Sequence, residues 1–356
     1  MSNSPIKQLE FVLQKQKESY NPGRLVEDLT DLAKQVNAEL IADTEPVPIG
    51  QVAAKSLERI MNPSSVSNNF YSGFPEFDVL TGGFRKGELV IIGGRPGVGK
   101  TKLMVHFCRF MAERGTPTAY FNFDLTADQL VYRFLSNISK VSEHTMRKKL
   151  LLDSDKLALN DAGEKLNRFP IYIDDSASQN IFSIREKCKK LVKDHKVEVV
   201  FVDYIQMIGG LGRKNNREYE ISLVSRELKQ MAKELDVCVI ASSQLSRAVE
   251  QRGGSKRPQL SDLRESGAIE QDADKVIFIY RPDIAGITQD ENGNSTENIA
   301  ELILAKNRTG IVDSVTVYIE PSFTGFTNNK NHGSGFTISE HRMKELNQDI
   351  AIEEDL

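Results

Sequence analysis

Gly94-Arg95-Pro96-Gly97-Val98-Gly99-Lys100-Thr101, set directly after the apolar run Leu89-Val90-Ile91-Ile92, decides the fold of this chain. Its spacing is G-x-x-x-x-G-K-T. A strand that ends in such a loop and opens into a helix makes a phosphate cradle, because glycines let backbone N–H groups turn inward onto an anion. Lys100 can reach the β and γ phosphates, and Thr101 offers its hydroxyl to Mg²⁺. Downstream, Met104, Phe107, Cys108 and Met111 share one face of a helix. Strand, loop and helix in that order predict a nucleotide and Mg²⁺ site made by Gly94, Arg95, Pro96, Gly97, Val98, Gly99, Lys100 and Thr101. The plain alternative is a glycine-rich turn followed by a chance lysine.

The rest of the chain suits such a site. Its 356 residues accommodate one large domain and a small accessory one. An apolar share of 39% and a charged share of 27% are those of a protein that buries a core. No apolar run approaches the roughly 18 residues that span a bilayer, and the start lacks a signal-peptide core, so an intracellular protein without membrane partners is expected. Cys108, Cys188 and Cys238 lie far apart with no histidine at metal spacing, which suggests small core residues in a reducing compartment. With a net charge of −4, nucleic acid would have to be met by local basic loops and not by the whole surface.

Alternating strand and helix patterns run from Tyr71 to Asn328 and predict an α/β domain with a mainly parallel sheet. Strands are expected at 89–93, 118–123, 171–173, 197–202, 237–242, 275–280, 299–305 and 314–319. Helices are expected at 100–114, 127–139, 180–194 and 218–236. Ahead of this domain, residues 1–45 read as a helical hairpin broken at Asn21-Pro22-Gly23. Residues 46–70 read as a linker carrying a short amphipathic helix at 50–61, with Ala53, Leu57, Ile60 and Met61 on one side. Residues 329–356 are polar, end in Glu353-Glu354-Asp355-Leu356, and read as an acidic tail.

Val199-Val200-Phe201-Val202-Asp203 is an apolar strand closed by a carboxylate, which can hold the water shell of Mg²⁺ beside Thr101 or merely cap the strand. Asp124 closes Tyr120-Phe121-Asn122-Phe123 and either orients the water that attacks the γ phosphate or caps the helix at 127–139. Gln244, after Val237 to Ala241, either senses the γ phosphate or ties two loops together. Two basic loops follow core strands on the edge that carries the phosphate loop. One is Gly209 to Arg217, with Arg213 and Lys214; the other runs from Arg247 to Arg264, with Arg252 and Lys256. Cations and exposed backbone N–H groups on such loops suit a nucleic-acid backbone, although charge clusters are also ordinary solvated surface. Lys306 and Arg308 follow the strand at 299–305, one residue apart, and suit insertion into a neighbouring subunit's ATP site.

Taken together these residues resemble the replicative helicases of the DnaB family over about residues 46–328. The most distinctive stretch is Ser261-Asp262-Leu263-Arg264-Glu265-Ser266-Gly267-Ala268-Ile269-Glu270-Gln271-Asp272-Ala273-Asp274, followed by Phe278-Ile279-Tyr280-Arg281. Ser72 to Asp78, Val202-Asp203-Tyr204-Ile205-Gln206 and Ser243-Gln244-Leu245-Ser246-Arg247 add further matches, as do Lys306 and Arg308. The resemblance implies a RecA-like P-loop NTPase that hydrolyses ATP between the subunits of a hexameric ring. It also implies 5′ to 3′ movement on encircled single-stranded DNA, with Arg264, Glu265 and Gly267 against its phosphates. The helix at 50–61 resembles the linker that packs on the adjacent subunit. A primase or a helicase loader as partner, and a place at the nucleoid or a phage replication fork, follow from the same likeness.

Two departures stand out. Only a helical hairpin precedes the linker, resembling at most the end of the family's large N-terminal domain. The family's catalytic Glu is Asp124 here. One methylene less withdraws the carboxylate by about a bond length, and a misplacement near 1 Å can cost ~10²-fold in rate. These departures favour an ATP-gated DNA-binding ring with weak turnover as an alternative function; a RecA-like recombinase, which shares the core but not the Arg264-to-Asp274 stretch, is another.

Overall fold

The computed structural model describes residues 47–61, 69–176, 180–209, 217–246, 249, 252, 256–289 and 293–328. The expected hairpin of residues 1–45 and the tail 329–356 lie outside the described residues. The chain divides into two units, Met1–Ser67 and Asn68–Leu356. In the first, α1 (Ile49–Met61) forms where an amphipathic helix was expected, and Ile49, Val52, Leu57, Ile60 and Met61 are exposed.

The second unit contains α2 (Pro75–Thr81), β1 (Leu89–Gly94), α3 (Lys100–Glu113), β2 (Thr118–Asn122), α4 (Ala127–Ser139), α5 (Glu143–Lys148), α6 (Asp153–Leu166) and β3 (Ile171–Asp174). It continues with α7 (Ile181–His195), β4 (Val199–Asp203), α8 (Arg217–Glu234), β5 (Cys238–Gln244), α9 (Gly267–Asp272), β6 (Lys275–Tyr280), β7 (Ile299–Asn307), β8 (Asp313–Ile319) and β9 (Phe326–Thr327). The strands make one sheet in the order β3-β2-β4-β5-β1-β6-β7-β8-β9. Pairings from β3 to β6 are parallel, and those from β6 to β9 are antiparallel.

Both faces of the parallel part are covered, so every residue of β1, β2, β4 and β6 is buried. The period of two then sorts the side chains into two cores. Val90, Ile92, Phe201 and Ile240 pack on one face with Leu103, Met104, Phe107 and Met111 of α3. Leu89, Ile91, Val200, Val202 and Val239 pack on the other with Ile184 and Cys188 of α7 and Val224, Leu228 and Met231 of α8. All three cysteines are buried and free.

Four helices, α2, α5, α6 and α9, go beyond the sequence expectation. α2 and α5 are one or two turns long, and α6 buries only Ala162, so none of these three carries an apolar stripe. β7 runs to Asn307, two residues past the expected end, and Lys306 therefore lies inside the strand.

Register fixes which residues share an edge. Gly94 pairs with Gln244, and Asn122 with Asp203, at the carboxyl ends of the parallel strands. At the other end of the sheet Lys275 pairs with both Val90 and Asn307. The end of β7 thus lies opposite the edge that carries the phosphate loop.

Candidate active site

The carboxyl edge opens into a cleft of about 340 Å³ lined by Pro96, Gly97, Gly99, Lys100, Thr101, Asp124, Asp203 and Gln244, together with Lys102, Arg133, Tyr204 and Phe323. Gly99 is doubly required there. Its φ is +107°, and a Cβ would stand 2.6 Å from Cζ of Phe323. Lys100 Nζ donates to the carbonyls of Gly94 and Arg95 at 2.9 Å each, so the ammonium points back into the loop. Burial lowers its pKa to about 8, while the Asp203 carboxylate opposes that shift.

Asp203 is buried, at 4% exposure, and accepts from Ser242 Oγ at 2.5 Å and Tyr120 Oη at 3.3 Å. The carboxylate is thereby held at the cleft floor with more than a strand end to support it. Asp124 stands on the turn after β2. Asn122 shapes this turn: its Oδ1 accepts from the N–H groups of Asp124 and Leu125 at 3.3 Å, and its Nδ2 donates to the Leu125 carbonyl at 2.8 Å. The N-cap of α4 is Thr126, in a capping box with Gln129, so Asp124 is not the helix cap. Tyr204 lies near both carboxylates: burial first, then Asp124 and Asp203, raises the pKa of its phenol. Tying between β4 and β5 falls to Gln206. Its Nε2 donates to Ser243 Oγ and the Gln244 carbonyl at 2.9 and 3.2 Å, and its Oε1 accepts from Gln244 N at 3.2 Å. The Gln244 side chain is left to line the cleft.

A cradle with an inward ammonium, a hydroxyl at Thr101 and a buried carboxylate fits a Mg²⁺–nucleotide. Among the described residues no three His, Cys, Asp or Glu side chains gather into a metal cluster. Mg²⁺ held through one or two protein oxygens and substrate phosphates needs none.

Sequence reasoning passed over Phe323 and Arg133. Phe323 sits on the loop with Lys102 and Arg281 each 5.0 Å from its ring centroid. Neighbouring Ser322 and Phe323 adopt φ of 54° and 51°, a backbone that nothing in their residue types signals. Arg133 was hidden as a lone cation on an amphipathic helix.

Lys306 and Arg308 come together, far from the cleft in register. Lys306 Nζ donates to the Glu270 carbonyl at 2.5 Å, and Arg308 to the Gln271 carbonyl at 2.5 Å and Asp274 Oδ1 at 3.3 Å. Burial, followed by the Arg308 charge, lowers the pKa of Lys306. Arg213 and Lys214, and the side chains of Arg264 and Glu265, lie outside the described residues. Gly267 opens α9 and is exposed, and Lys256 is half-buried. Arg252 donates to Asp262 and to the Arg257 carbonyl, and Arg257 pairs with Glu301 at 2.7 Å. Part of the positive charge of that loop is therefore spent within the fold.

A mainly parallel sheet with a phosphate loop at the end of its central strand, and a carboxylate closing a buried strand beside it, defines a RecA-like P-loop ATPase domain. The sequence profile described as DnaB-like helicase C-terminal domain matches residues 70–328, and the chain belongs to that family. It is 39% identical over 275 residues to the "Replicative DNA helicase DnaC" of Bacillus subtilis (strain 168), covering 77% of this chain and 59% of the relative. The "Replicative DNA helicase DnaB" of Geobacillus stearothermophilus matches with the same identity and coverage. The chain thus spans 59% of the length of these relatives. Among solved structures, one described as an ATPase domain superposes with a TM-score of 0.72 at 32% identity, over 80% of this chain and 100% of that one. A DnaB-like replicative helicase, solved to describe its interactions with primase, gives 0.71 at 28% identity over 91% and 76%. Among the described residues no helix is long and apolar enough to cross a membrane.

Proposed function

We propose that this chain is an ATP-driven replicative DNA helicase that works as a ring, hexameric by likeness to its family, and moves 5′ to 3′ on single-stranded DNA. In this reading residues 71–328 are the motor and 46–70 the linker, with α1 packing on an adjacent subunit. Primase or a loader is its partner, and a replication fork in the cytoplasm, bacterial or phage, its place of work.

One observation carries the proposal: a phosphate cradle at one end of the sheet and a paired Lys306 and Arg308 at the other. A single subunit holds both halves of a catalytic site but keeps them apart, so a complete site needs a neighbour. The residues from Gly94 to Thr101 bind the nucleotide phosphates, and Thr101 with Asp203 holds Mg²⁺. When bound there, Mg²⁺ would supply positive charge against that of the phosphates. Asp124 orients the attacking water, Gln244 reports the γ phosphate to β5, and Phe323 offers its ring to the nucleobase. Lys306 and Arg308 stabilise charge in the neighbouring site. Arg264, Glu265, Gly267, Arg213, Lys214, Arg252 and Lys256 form the face toward DNA, with Arg252 contributing mainly through the loop it staples to Asp262.

ATPase assays with and without single-stranded DNA, run beside a forked duplex with a 5′ tail, test this. Strong DNA-stimulated turnover with unwinding is expected. Binding without turnover would favour an ATP-gated ring, the alternative that the shorter carboxylate of Asp124 supports. Strand exchange without unwinding would point to a recombinase.

A further inference from the structure

We propose that α9 and Asp274 form a bracket that fixes Lys306 and Arg308 relative to the segment facing DNA, so that occupancy of one end sets the geometry of the other. The inference rests on the helicase reading above and names Asp274 as a positioning residue within it.

Arg308 is held from three sides. Its guanidinium reaches the Gln271 carbonyl at 2.5 Å and Asp274 Oδ1 at 3.3 Å, and its own N–H donates to the Asp274 carbonyl at 3.0 Å. Lys306 Nζ reaches the Glu270 carbonyl at 2.5 Å. Glu270 and Gln271 lie in the last turn of α9, whose carbonyls lack intrahelical partners and favour cations. At its other end α9 begins at Gly267, directly after the 3₁₀ segment Leu260–Ser266. Six residues at ~1.5 Å rise span only about 9 Å, a strut too short to bend. Ile269 pins that strut in the core.

The two oxygens of Asp274 divide the work. Oδ2 accepts from Leu89 N at 2.7 Å and Lys229 Nζ at 2.6 Å, which roots the carboxylate in β1 and α8. Oδ1 is turned to Arg308, whose side chain stays 45% exposed and available to a neighbour. Asp272, whose buried Oδ2 has no hydrogen-bond partner, adds negative charge that steadies Lys306.

The test is an equilibrium one on the assembled protein. Affinity for oligo-dT is measured with and without a non-hydrolysable ATP analogue, for wild type and Asp274→Asn, which keeps an oxygen for Leu89 and loses the charge facing Arg308 and Lys229. In the wild type the analogue is expected to tighten oligo-dT binding about tenfold, and in Asp274→Asn less than about twofold. The same variant should lose about tenfold in DNA-stimulated kcat with KM for ATP within about twofold, and Asp274→Glu should restore part of it. An unchanged affinity ratio in Asp274→Asn overturns the bracket while leaving the helicase reading intact. A wild type that binds no oligo-dT, or shows no nucleotide effect, overturns both. Should the variant fail to fold, hydrogen exchange on the wild type decides. Oligo-dT is expected to protect the Arg308 amide severalfold, and unchanged exchange there overturns the proposal.

Discussion

The two ends of the sheet are built on different plans. At the carboxyl end the parallel strands β1, β4 and β5 deliver Gly94, Asp203 and Gln244 side by side, fully backed by core. At the other end the antiparallel β7 brings Lys306 and Arg308 onto last-turn carbonyls and Asp274, with much of Arg308 still in solvent. One end holds charge in place before a ligand arrives; the other offers charge outward. On the function proposed above, the two ends are the two halves of a site, and assembly would bring the half of one subunit to the half of the next.

The largest effect should come from the buried end. Lys100→Ala removes the ammonium that hydrogen-bonds to the phosphate loop, so ATP hydrolysis and unwinding should fall below detection. Arg308→Ala strikes the outward end: turnover should drop about 10³-fold or more while ATP binding, followed by a fluorescent analogue, persists. Equal loss of binding in both variants would erase the distinction between the two ends.

Smaller changes sharpen it. Asp124→Glu restores one methylene at the turn shaped by Asn122, and kcat should rise by up to about 10²-fold. A fall would mean that the cleft has adjusted to the shorter carboxylate. Phe323→Ala removes the ring over Gly99 and should raise KM for ATP about tenfold with kcat little changed. The smallest effect is one of pH. Lys100 is protonated below its lowered pKa of about 8 and loses its proton as pH rises through that value. KM should therefore climb about threefold from about pH 7.5 to about 8.5. A flat profile would show that the bound phosphate holds the proton throughout.

Legibility in the sequence followed burial. Strands sealed on both faces read as unbroken apolar runs, and a polar residue closing such a run, as Asp203 and Gln244 do, can be seen without a structure. The same holds for the phosphate loop, whose glycines are imposed by backbone conformation at Gly97 and Gly99. Phe323 was invisible because its place depends on an unusual backbone at two ordinary residues. The helices α2 and α6 were invisible because they bury almost nothing that repeats. The end of β7 was misjudged because Lys306 and Asn307 look like a loop, yet they pair with Val276 and Lys275. What Asp274 does could not be inferred from a string, since its partners Leu89, Lys229 and Arg308 are distant in the chain.

Mixing the two inactive variants, Lys100→Ala and Arg308→Ala, tests the central claim most directly. If each complete site combines the cradle of one subunit with the cations of the next, mixed assemblies at equal ratio should regain about a quarter of wild-type ATPase. No recovery, with mixed assembly verified, would mean that both halves serve the same subunit and would contradict the account.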